Sequence, residues 1–207
     1  MLTDAQKAKT KNYLYKRWTK SDRYKDFIIE LSADDIALGK KIAHERYEAH
    51  RKIGKKNFSY GMSEKGREVL GCLGELAVIR WCQSQGYNIT MDKFLDTTSE
   101  LNHEDEYDAD IVFNGSELSL EIKATEKPMN SKMIIPKHQI ENKQADIYVL
   151  ICKIDNHRWC IKGFTDGDTL LQNFDTGLKR PAYTIHEKNL TINLNDFLKG
   201  EKLCQKK

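Results

Sequence analysis

The chain has 207 residues, enough for one well-cored domain plus an accessory segment; its 31% charged residues and its aromatics spread along the length exclude a disordered chain. No apolar run approaches the roughly 20 residues that span a bilayer, and the opening MLTDAQKAKTKNYLYKRW lacks the apolar stretch of a secretory signal. The expectation is a cytoplasmic protein with no membrane partner. The net charge of +3 identifies no partner, but residues 1–60 hold 15 Lys or Arg against 8 Asp or Glu, a +7 arm beside a −4 body, which suits a polyanion or a solvated helical surface.

Residues 1–60 read as a basic, helical N-terminal extension. Tyr13, Tyr15, Trp18 and Tyr24 interleave with Lys11, Lys16, Arg17, Lys20, Arg23 and Lys25, a mixture that serves either to grip a nucleic-acid backbone or to pack a helix with charged outer faces. A capping-box pattern at Ser32 and Asp35 opens a helix that runs to about Arg51 and stops near Gly54, before the loop KKNFSYGMS. A second helix, about 64–85, ends at Gly86 and is apolar almost all round between Val69 and Cys82, so it should be buried. A strand at 87–91, an acidic loop and a hairpin at 108–125 follow, then a short strand at KMIIP and a brief helix KHQIENKQ opened by Pro136. DIYVLICKI is a continuous apolar run of strand length, expected inside a sheet, and RWCIKGF alternates as the next strand. Residues 61–165 thus make an α/β layered core, and 166–207 a C-terminal α/β tail packed on it. Cys72, Cys82, Cys152, Cys160 and Cys204 form an odd set without a CxxC pair and read as buried free thiols.

The hairpin carries a misfit. Leu118, Leu120, Ile122 and Ala124 share one face of its second strand, while Ser119, Glu121, Lys123 and Thr125 share the other. Asp110 faces opposite to Ile111 and Phe113, and an Asn114-Gly115 turn lets the two polar faces coincide. Glu75 is the only acid between Val69 and Ile79; buried there it needs a partner, and Gly71 and Gly74 would let its helix approach the sheet closely. Carboxylates that converge repel one another unless a cation sits between them, and Mg²⁺ uses one or two carboxylates while keeping several waters. Such an ion acidifies a water nucleophile, and Lys123 would orient that water and stabilise charge growing on phosphorus oxygens. This is the logic of phosphodiester hydrolysis.

Glu75 on a helix, Asp110 before an apolar strand, Glu121-Ile122-Lys123 eleven residues later and Gln139 on the following helix resemble the PD-(D/E)XK nuclease superfamily, over about residues 64–164. The apolar GELAVIRW helix, DIYVLICKI and the tail are similar to small stand-alone members from bacteriophage and bacterial genomes. The resemblance implies a restriction-endonuclease-like fold, a central mixed sheet flanked by helices, and DNA cleavage with Mg²⁺ or, in substitution, Mn²⁺. It implies Asp110 and Glu121 as metal ligands together with the Ile122 carbonyl, Lys123 as the catalytic lysine and Glu75 as an outer ligand. No proline precedes the aspartate, and Tyr107-Asp108-Ala109-Asp110 offers two; Asp108 reads as a loop acid and Asp110 as the ligand. Gln139 and Lys137, with Lys16 and Arg17 of the arm, are the candidate DNA contacts, although a surface helix explains the first two equally well. Glu121 and Lys123 could also be a solvated edge pair, which would leave Glu75 unexplained. The alternative function is a non-catalytic DNA-binding or partner-binding protein on the same fold. Two cuts in a duplex would call for a homodimer.

Overall fold

The computed structural model describes residues 9, 12–13, 16–18, 20–52, 62–97, 107–126, 132–142, 144–178 and 180–199. Most of the loop expected at 55–63, most of the acidic loop, Lys11, Tyr15 and Cys204 lie outside the described residues. In chain order the elements are β1 (Ile28–Glu30), α1 (Ala33–Lys52), α2 (Glu64–Ser84), β2 (Asn88–Ile89), α3 (Asp92–Leu95), β3 (Ala109–Phe113), β4 (Ser116–Thr125), β5 (Lys132–Pro136), α4 (Lys137–Asn142), β6 (Ile147–Lys153), β7 (Arg158–Thr165), α5 (Gly167–Leu171), β8 (Phe174–Asp175), β9 (Ala182–His186) and α6 (Leu194–Lys199). They form an α/β fold with a six-stranded mixed sheet of order β1-β7-β6-β4-β3-β2 and a three-stranded sheet of order β5-β9-β8.

Local chemistry accounts for the boundaries. Asp35 N–H donates to Ser32 Oγ at 3.0 Å while the Asp35 carboxylate accepts from Ser32 N–H at 3.2 Å, the reciprocal cap that opens α1. Ser63 caps α2 by accepting from Gly66 N–H at 3.1 Å. Asn114 and Gly115 both have positive φ, 51° and 81°, which a two-residue primed turn requires, and they join β3 to β4 with Phe113 opposite Ser116.

The run in β6 is apolar throughout because both faces of the sheet are covered. Ile147, Val149 and Ile151 face a core shared with Leu76 and Ile79 of α2 and Ile42 of α1, whereas Tyr148 and Leu150 face a second core with Met133, Ile135, Ile140 and Ile185. Only β4 and β6 run parallel, and helix α4 lies in the connection between them. Helix α2 approaches the sheet at Gly74: a Cβ there would lie 2.7 Å from the Cβ of Ala124. At Gly71 such an atom would meet only Glu75 Oε1, at 3.7 Å, so Gly74 alone makes the close approach.

Two expectations change. Within the stretch read as helical, Ile28, Ile29 and Glu30 form an edge strand opposite Cys160, Trp159 and Arg158, because the β7 edge needs pairing and supplies its hydrogen bonds. The strand expected at 87–91 is only Asn88–Ile89, since α3 begins at Asp92. Two aromatics of the arm pack inward while Tyr13 is exposed: Trp18 and Tyr24 enclose the ammonium of Lys162, 3.9 Å and 4.7 Å from their ring centres, and Glu187 Oε2 lies 3.2 Å from it. Lys162 is therefore only 2% exposed. Cys72, Cys82, Cys152 and Cys160 are buried free thiols, and desolvation pushes Cys82 and Cys160 up to about 12. Among the described residues no helix is long and apolar enough to cross a membrane.

Candidate active site

The two-residue turn fixes the hairpin register. Phe113 lies opposite Ser116, Asp110 opposite Ser119 and Ala109 opposite Leu120, where the ladder ends. Asp108 N–H donates to the Leu120 carbonyl at 3.0 Å, and its Oδ2 accepts from Ile122 N–H at 2.5 Å. β3 has ended at this point, so the Ile122 amide on that edge meets a side-chain oxygen in place of a backbone carbonyl. A strand residue's N–H and C=O leave by the same edge, and the Ile122 carbonyl therefore opens toward Asp108 as well.

Glu121 and Lys123 point from β4 to the face occupied by Asp108 and Asp110. The Lys123 ammonium bonds the Glu121 carboxylate and donates to Gln139 Oε1 at 3.1 Å. Gln139 is delivered by α4, whose Ile140 packs into the core formed by Tyr148 and Leu150, the residues opposite Glu121 and Lys123 on β6. This cover leaves the Glu121 and Lys123 side chains 17% and 23% exposed, sheltered yet open to solvent.

Glu75 comes from the other side of the sheet. Its Oε2 accepts from Arg46 Nη1 of α1 at 2.7 Å, and Arg46 Nη2 donates to the Phe94 carbonyl at 3.1 Å. Both partners are buried, so the arginine supplies the counter-charge that a carboxylate in that apolar helix demands. The charge of Glu75 still acts on Asp108 and Lys123.

These neighbours set the electrostatics. Burial, then the Glu121 and Glu75 charges, lift the Asp108 carboxyl well above the usual carboxylate range, and Lys123 together with the Ile122 amide opposes them. Burial works to lower Lys123, but Glu121, Asp108 and Glu75 outweigh it and hold the ammonium charged. With Asp108 ionised, the three acids carry one negative charge more than Lys123 and Arg46 balance.

The expected trio was Asp110, Glu121 and Lys123. All three share one face, but the structure brings Asp108 to Glu121, Lys123 and Gln139, and places Asp110 two residues further along β3. There Lys93 of α3 holds it, with Nζ 2.6 Å from Oδ2 and 2.9 Å from Oδ1. The second aspartate offered by Tyr107-Asp108-Ala109-Asp110 was the available signal for Asp108. Lys93 and Arg46 had no such signal, since each reaches the site from a separate helix. Lys137 is exposed on α4, 3.6 Å from Glu141 and over the Phe174 ring at 5.7 Å. Lys16 and Arg17 are exposed on the segment that Trp18 anchors to β7, two strands away from β4.

Among the described residues no three His, Cys, Asp or Glu side chains converge closely enough to hold an ion by themselves. A divalent ion here would take Asp108, Glu121, the Ile122 carbonyl and water, a hard oxygen set that fits Mg²⁺ or Mn²⁺. Comparison with protein-family models, with curated proteins and with solved structures gives no match for this chain.

Proposed function

We propose that the chain is a Mg²⁺-dependent DNA endonuclease of the PD-(D/E)XK type. The observation that carries this reading is Asp108, held at the Ile122 amide and close enough to Glu121 to be raised by its charge, with Lys123 and Gln139 beside them, a sheltered group whose acids repel one another. A bound Mg²⁺ supplies an acidified water and offsets charge on the phosphate oxygens. Asp108, Glu121 and the Ile122 carbonyl would hold it. Lys123 orients the attacking water and donates to the phosphate oxygens as negative charge grows on them. Gln139 fixes the Lys123 ammonium, and Glu75, salt-bridged to Arg46, acts as an outer acid that favours a cation at the site.

DNA as substrate agrees with the basic N-terminal arm, and the buried thiols of Cys72, Cys82, Cys152 and Cys160 agree with a reducing cytoplasm. Cutting one strand takes one such site; cutting both strands of a duplex takes two, and hence a homodimer. The test is a Glu121→Gln variant assayed with labelled DNA. It should fold, bind and fail to cut in Mg²⁺ or Mn²⁺, where wild type cuts. Wild type that binds DNA without metal-dependent cleavage moves the reading to a non-catalytic DNA-binding protein.

A further inference from the structure

We propose that Lys93 is a positioning residue that holds the phosphate next to the scissile one, with Asp110 as its anchor and not a metal ligand. This rests on the nuclease reading above and names a part of the same surface that the motif does not contain.

Two residues fix the ammonium. Asp110 contacts it through both oxygens, at 2.6 Å and 2.9 Å, and the Tyr107 ring centre lies 5.6 Å away. Tyr107 is itself held by its hydroxyl, which donates to the Gln144 carbonyl at 2.9 Å. Tyr107 and Asp110 bracket Asp108 in the chain, and two residues of strand advance by about 6.5–7 Å, so Lys93 stands one short step from the acid pair. Lys123 stands on the other side of that pair. Two ammonium groups thus flank the acids along one face, as a polyanionic strand lying across them would require.

Exposure sorts the two partners of the ion pair. The Lys93 side chain is 32% exposed and that of Asp110 12%, so the lysine is the outer partner of the pair and the carboxylate the inner one. Lysine has three N–H donors, and contact with a single carboxylate leaves donor capacity directed to solvent. A cation held at a fixed place before the substrate arrives loses little freedom on binding.

The experiment uses the full chain and a fluorescent duplex oligonucleotide, titrated in Ca²⁺ across a salt series. Lys93→Gln should lower the slope of log K against log salt by about 0.9 and weaken binding roughly fivefold to tenfold at 0.1 M salt. Lys93→Arg should restore the slope. In Mg²⁺, Lys93→Gln should raise KM more than it lowers kcat. The double variant Lys93→Gln/Asp110→Asn, which leaves no unpaired carboxylate, should show the same slope change. An unchanged slope in a variant that melts like wild type overturns the proposal, as does a kcat loss at constant KM. Wild type that cuts while Lys93→Gln keeps its slope overturns the role of Lys93 alone. The predicted slope change without any cleavage by wild type overturns the hydrolytic reading alone, and a wild type that does not bind the duplex overturns both.

Discussion

At the residue scale Asp108 and Asp110 are separated by environment. Asp108 is crowded by Glu121 and Glu75 with one lysine between them, whereas Asp110 has an ammonium on both of its oxygens. Asp108→Asn should therefore abolish metal-dependent cleavage, while Asp110→Asn should raise KM and leave cleavage at saturating DNA measurable; rates over a range of substrate concentrations check both. The raised Asp108 carboxyl also predicts a pH effect. The folded protein keeps a proton there that the unfolded chain has released, so without metal its stability falls as pH rises from the ordinary aspartate value through the raised one. Asp108→Asn should remove that fall and raise the metal-free melting temperature at pH 7. A gain of about 1 kcal/mol would appear as roughly 2–4 °C in a domain of this size. Thermal melts in chelator at several pH values measure it, and a variant less stable than wild type at neutral pH would contradict the crowding.

At the element scale the hairpin was legible because its rules are local. Alternation assigned the faces, and Asn-Gly specified the turn. Nothing local to the hairpin names Lys93, which reaches Asp110 from a separate helix. Capping marked where α1 begins, and apolar continuity placed β6 in the interior. The second sheet was not legible: β5 pairs with β9 about fifty residues later, and nothing local to either strand names its partner. The same holds for Ile28–Glu30, whose pairing depends on the β7 edge. Gly74 offers a test of how α2 is seated. Alanine is the better helix former by about 1 kcal/mol. Its methyl would nevertheless collide with Ala124, so Gly74→Ala should cost a net 1–2 kcal/mol or about that in denaturant unfolding. Ala124→Gly in the same chain should recover much of the loss, and a Gly74→Ala protein as stable as wild type would refute the close contact.

At the scale of the whole molecule the basic N-terminal region is structural as well as charged. Ile29, Leu31, Ile42 and Ala43 belong to the main core, and Trp18 with Tyr24 closes over the Lys162–Glu187 pair. Deleting residues 1–60 should therefore abolish cooperative unfolding, read by denaturant titration, instead of merely weakening DNA binding. The contribution of the arm to binding is read instead from Lys16→Ala and Arg17→Ala, each of which should flatten the salt slope by about 0.9 if it meets a duplex phosphate. What remains is the claim that these parts serve to hydrolyse DNA, and one measurement bears on it most directly. Supercoiled plasmid is incubated with wild type and with Lys123→Ala in Mg²⁺, Mn²⁺ and Ca²⁺, and binding is measured in parallel. The account predicts nicked or linear product from wild type in Mg²⁺ and Mn²⁺ but not in Ca²⁺, and a Lys123→Ala protein that folds and binds without cutting. A folded, DNA-binding wild type that leaves the plasmid intact in every ion, or a Lys123→Ala protein that cuts at the wild-type rate, would contradict it.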